Sequence, residues 1–169
     1  FTRYPKSRHA DRALSLMGEI RLAQRDYPRA LSYFKEIIEK HAASPFIIDA
    51  KYKLGICYFE LKEYDLAIAN LDDRSRISDP SKLRRIADML SAAYLIKKNY
   101  LKALKEDLVL IDITSDERQK AGYRDRIREI VNKSLSEEEL RPLSSGTAYP
   151  ADAALLRLAG LLIEQRKYQ

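Results

Sequence analysis

Tryptophan is absent from this chain of 169 residues, cysteine occurs once, and histidine twice. A single cysteine, Cys57, excludes an internal disulfide and a cysteine-rich zinc site. Two histidines, His9 and His41, without clustered carboxylates or a His-x-x-x-His spacing, make no zinc site either. With only 5 glycines, the chain has no phosphate-cradling loop. No apolar run approaches the roughly 20 residues that span a bilayer, and the opening FTRYPKSRHADR lacks the apolar core of a secretory signal. The chain begins without Met and stops at KYQ inside a pattern, so it is expected to be a piece of a longer protein.

What is present is apolar and charged material in nearly helical proportion: 46% hydrophobic and 33% charged residues, with few helix breakers. The formal charge of +6 is densest at RSR (74–76), KLRR (82–85) and RDRIR (124–128), where Asp72, Asp73, Asp79, Asp125 and Glu129 interrupt it. Mixed signs of this kind mark solvated helix faces more often than a phosphate-tracking stripe.

A repeat of about 36 residues organises the chain. A small residue precedes an aromatic by nine positions at Gly18/Tyr27, Gly55/Tyr64, Ser91/Tyr100 and Ala159/Tyr168, and Ala30, Ala67 and Ala103 follow the first three tyrosines by three. The stripes Leu14–Met17–Ile20 and Leu54–Tyr58–Leu61 have amphipathic-helix spacing. In each unit the small residue should let a second helix, beginning near Asp26, Glu63 or Asn99, approach the first closely. Ser44-Pro45 and Asp79-Pro80 read as helix starts. Thr114 with Glu117 and Ser136 with Glu139 read as capping boxes, and Ser144-Ser145-Gly146 as a loop.

This frame resembles the tetratricopeptide repeat family. Ala50, Leu54, Gly55, Tyr58, Tyr64, Ala67 and Ile68 fall on its small, large and aromatic positions, although Arg21 and Ser91 depart from them and the frequent early tryptophan is missing. The resemblance implies an all-α fold, a right-handed superhelix (α-solenoid) of helix-turn-helix repeats forming a single array over 1–169. The expected repeats are 8–43, 45–77 and 79–113, followed by divergent helices over 115–145 and a truncated repeat over 149–169. The joints YPKSRHADRAL (4–14), HAASPFIIDAKYKLG (41–55) and YPADAALLRLAG (149–160) look like those of tetratricopeptide proteins in the Gram-negative cell envelope, including outer-membrane assembly lipoproteins. Residues 127–162 are similar to the helical region of penicillin-binding-protein activator lipoproteins.

The resemblance implies a non-catalytic protein–protein scaffold, periplasmic and outer-membrane-anchored through a region outside this chain, with a protein or peptide partner in the concave groove and no cofactor or small-molecule substrate. The alternatives are the superhelical arm of a lytic transglycosylase-type enzyme and a basic nucleic-acid-binding repeat. Groove positions carried over residue by residue are Arg12, Ser15 and Glu19; Asp49, Tyr52, Ile56 and Phe59; and Arg85, Asp88, Ala92 and Leu95. Tyr52 and Phe59 also suit packing between units, and both roles stay open. The family's carboxylate clamp is not expected, because its positions here are Ser15, Glu19, Lys53, Arg85 and Met89. Cys57 sits where the frame places a small buried residue, so packing is favoured over chemistry.

Overall fold

The computed structural model describes residues 9–166, with side chains through residue 163; Tyr168 and the first residues of the 4–14 joint lie outside them. The described residues form nine helices and no strand: α1 (Ala10–Ala23), α2 (Tyr27–Lys40), α3 (Ile47–Glu60), α4 (Tyr64–Leu71), α5 (Pro80–Ile96), α6 (Tyr100–Ile113), α7 (Glu117–Lys133), α8 (Glu137–Ser144) and α9 (Ala151–Arg166). The fold is therefore all-α and built from helix-turn-helix repeats. Two compact units divide within α5, between Leu83 and Arg84.

In the first unit α1 packs on α2, α2 on α3 and α3 on α4. Leu14, Ala30, Phe34, Ile37, Ala50, Leu54, Cys57, Tyr58 and Ala67 form its core. Burying a side chain such as Phe34 contributes about 1.5–3 kcal/mol. The small residue of each first helix receives one side chain from the second helix, sixteen positions later. A Cβ on Gly18 would stand 2.6 Å from the Phe34 ring, and one on Gly55 would stand 2.5 Å from Leu71. In the second unit the same offset joins Ser91 to Asp107. There α6 packs on α7, and α9 on both α7 and α8, with Leu104, Leu110, Ile127, Val131 and Leu140 buried among these helices.

The turns inside the three pairs are identical in kind. Arg25, Lys62 and Lys98 take left-handed φ values of 58°, 63° and 57°. The following amides reach back to Arg21, Tyr58 and Tyr94 carbonyls, while Arg25, Lys62 and Lys98 amides reach Leu22, Phe59 and Leu95. This is the Schellman arrangement, which ordinarily takes glycine at the left-handed position. Asp26, Glu63 and Asn99 then begin the second helices as expected, with side-chain caps from Asp26 and Asn99.

Some local expectations are corrected. Ile20 is 56% exposed, so the α1 stripe ends at Met17. Ser44 does not cap α3, which starts after Phe46 without a side-chain cap; its hydroxyl instead donates to Asp11 Oδ2 at 2.6 Å and accepts from Phe46 N. Asp116, not Thr114, caps α7. Asp79 does cap α5, accepting from Ser81 and Lys82 amides, and the Ser136/Glu139 capping box is present.

Candidate partner-binding face

Within the first unit, α1, α3 and the first turn of α5 carry one connected strip of polar side chains. Ser15 Oγ donates to Glu19 Oε1 at 3.3 Å, and Lys53 Nζ bridges Glu19 to Asp49. Asp49 Oδ1 then accepts from Lys82 Nζ at 2.7 Å. The i, i+4 spacing of Asp49 and Lys53 places both on one face of α3, where each reaches one neighbouring first helix. Lys82 Nζ also stands 5.6 Å from the Tyr52 ring centroid, and Lys53 Nζ stands 5.9 Å from that of Phe34, both within cation–π range.

Asp49 is the electrostatic centre of the strip. Burial disfavours its charge, but hydrogen bonds from Lys53 and Lys82 outweigh that and hold its carboxyl below the usual range. The strip is therefore charged and internally neutralised at neutral pH.

One end of the strip opens into a cleft of about 240 Å³ lined by Pro45, Ile48, Asp49, Tyr52, Arg76, Ile77, Ser78, Asp79 and Lys82. Its walls come from the joint before α3, the first turns of that helix, and the joint before α5. Long joints supply the apolar Pro45 and Ile77 that no helix stripe would have exposed.

The expected groove residues separate into groups. Ser15, Glu19, Asp49 and Tyr52 are joined through Lys53 and Lys82, which were not among the expected groove residues. Arg12 is exposed. Tyr52 and Ile56 are buried, at 7% and 3% exposure. Phe59 packs against the core cluster and edge-on to Tyr64, with centroids 5.6 Å apart. In the second unit Arg85 is exposed, and Asp88, Ala92 and Leu95 are half-buried. Asp88 meets α7: burial pushes its carboxyl pKa up, against the charge of Arg126 and a hydrogen bond with Tyr123. Lys82 was legible only as part of the basic run KLRR, and its pairing with Asp49 spans 33 residues.

The one thiol is buried in the core cluster, and burial pushes its pKa up to about 12. A thiol in that state is neutral at physiological pH and a poor nucleophile. His9 and His41 occupy the N-cap of α1 and the C-cap of α2. Among the described residues no group of His, Cys, Asp and Glu has metal-site geometry, and no helix is long and apolar enough to cross a membrane.

No match to the chain was found among curated proteins or solved structures. Residues 15–81, which include Ser15, Glu19, Asp49, Tyr52 and Lys53 as well as both glycine contacts, match the family model described as tetratricopeptide repeat, and this supports a tetratricopeptide-repeat domain over that stretch.

Proposed function

We propose that the chain is a non-catalytic scaffold that holds an extended peptide segment of a partner protein against the face formed by α1, α3 and the start of α5. The observation that carries this reading is the Ser15–Glu19–Lys53–Asp49–Lys82 strip. Its side chains are already ordered by one another, so a partner laid across them meets polar groups whose ordering cost is largely met before binding. Repeats of this family support protein–protein interaction in general. The envelope-type joints at 4–14, 41–55 and 149–160 favour a periplasmic setting, with a role in cell-wall synthesis or outer-membrane assembly.

A photo-crosslinking residue placed at the exposed Arg12 or Glu19 on α1, compared with one at the exposed Arg29 or Glu39 on α2, tests the face. A discrete partner adduct from the α1 positions and none from α2 is the expected result. Adducts from α2 alone would reject the assignment. Fractionation of a Gram-negative host producing the full-length protein tests the setting, since recovery in the cytosol alone would overturn the envelope reading.

A further inference from the structure

We propose that the cleft beside Tyr52 selects partner segments in which one apolar side chain lies next to a carboxylate. This rests on the peptide-scaffold reading above and names the chemistry that scaffold would recognise. At about 240 Å³, the cleft is smaller than the roughly 300–1,000 Å³ typical of cofactor and small-molecule sites. It matches one aliphatic or aromatic side chain. Its apolar wall consists of Pro45, Ile48, Tyr52 and Ile77, of which Ile48 and Ile77 stay half-exposed and would lose contact with water when covered.

The rim supplies the charge selection. Four charged side chains line the cleft, and three are already answered within the chain. Asp49 is held by Lys53 and Lys82, Lys82 by Asp49, and Asp79 by the amides it caps at the start of α5. Arg76 is exposed and makes no hydrogen bond or ion pair among the described residues, and its charge is one of those that hold the nearby Asp73 carboxyl low. A guanidinium in that position has its full fork of donors available, and a carboxylate meets it in two-point geometry. An apolar side chain seated in the cleft brings its neighbouring residue to the rim, where an acidic group is attracted. A basic neighbour would instead meet the guanidinium of Arg76 and be repelled.

Selection from a displayed library of random octapeptides on the intact chain tests this. Recovered peptides are expected to carry Leu, Ile, Met or Phe within two positions of Asp or Glu. Arg76→Glu, a change at an exposed joint position, is expected to weaken a recovered acidic peptide by roughly fivefold to tenfold, the scale of a rim charge. The same variant should turn a fresh selection toward Lys or Arg beside the apolar anchor. Recovered peptides that bind Arg76→Glu as well as the parent chain would overturn the cleft assignment and leave the scaffold reading standing. If the folded chain enriches no peptide, both readings fail.

Discussion

Ser91 Oγ donates a 2.7 Å hydrogen bond to Asp107 Oδ1, and both residues are fully buried. They hold the register that Gly18 and Phe34, and Gly55 and Leu71, hold with apolar contact. The third pair has thus exchanged a packing contact for a polar one. Arg126 of α7 completes it, with Nε donating to Asp107 Oδ2 at 2.8 Å and the guanidinium 5.3 Å from the Tyr123 ring. A single aspartate thereby ties α5, α6 and α7 together.

Breaking this triad from one side should be costly. Arg126→Ala leaves a buried carboxylate facing only a hydroxyl, and is expected to destabilise the chain by about 3 kcal/mol, the low end for an uncompensated buried charge. The triple change Ser91→Gly, Asp107→Leu, Arg126→Met restores the apolar arrangement of the second repeat. Urea unfolding should find it within about 1 kcal/mol of the parent or more stable. A triple variant as weak as Arg126→Ala would show that the polar pair has a positional role that packing cannot replace.

The two helical glycines in tight contact should respond oppositely to a third. Gly55→Ala drives a methyl into Leu71, and overpacking of about 1–3 kcal/mol exceeds the gain of about 1 kcal/mol in helix propensity. Gly122 in α7 has open space where a Cβ would stand. Gly122→Ala is therefore expected to stabilise the chain by up to about 1 kcal/mol. Thermal melts of the two variants check the sign of each.

Glycine should help where the chain has none. Lys62 sits at φ 63° in the turn between α3 and α4, a conformation that costs a residue with a Cβ about 1–2 kcal/mol. Lys62→Gly removes that strain and loses some of the gain to the added freedom of the unfolded chain. A net stabilisation of about 0.5 kcal/mol is expected, measured as a rise in urea midpoint. A lower midpoint would place the value of Lys62 in its side chain.

Two half-buried aspartates should pull stability in opposite directions as pH falls. For Asp49 the folded pKa lies below the ordinary 3.8. The stability it contributes is present above that value and is lost as pH drops through the folded pKa. For Asp88, burial raises the folded pKa above 3.8, in an environment that also contains Arg84, Asp107, Tyr123 and Arg126. Between 3.8 and the raised value the folded state holds a proton that the unfolded state releases, so stability rises as pH falls through that window. Asp88→Asn should be more stable than the parent at pH 7 and lose this rise, whereas Asp49→Asn should be less stable at pH 7 and flatter in acid. Urea midpoints between pH 3 and 7 read both effects.

The helical fold was legible because periodic features announce it. Gly18 and Gly55, the alanines three residues after Tyr27 and Tyr64, and the helix starts at Asp26, Glu63 and Asn99 are local signals, and each is found where the repeat frame puts it. What escaped the frame depends on partners far along the chain or on backbone angles that residue type does not reveal. Ser44 looks like a cap, yet Asp11, 33 residues earlier, takes its hydroxyl. Thr114 looks like a cap too, but it closes α6, its amide bonded to Leu110 O, and Asp116, two residues nearer the helix, takes the cap of α7. Lys53 and Lys82 read as surface charge, although they join Asp49 to two other helices. Nothing in Arg25, Lys62 or Lys98 as residue types signals a left-handed turn.

Those turns also decide where the chain can change length. Asp26 closes α1 through its amide, bonded to Arg21 O, and opens α2 through its carboxylate, bonded to Arg29 N; Asn99 does the same between α5 and α6. One residue serves two helices, so an extra residue there would break both ends at once. The joints over 41–46 and 72–79 carry no such double duty, and they supply Pro45, Arg76, Ile77, Ser78 and Asp79 to the cleft. Insertions and deletions can therefore remodel the cleft wall while the helix pairs keep their register, which makes the joints the natural place for the cleft's shape to vary.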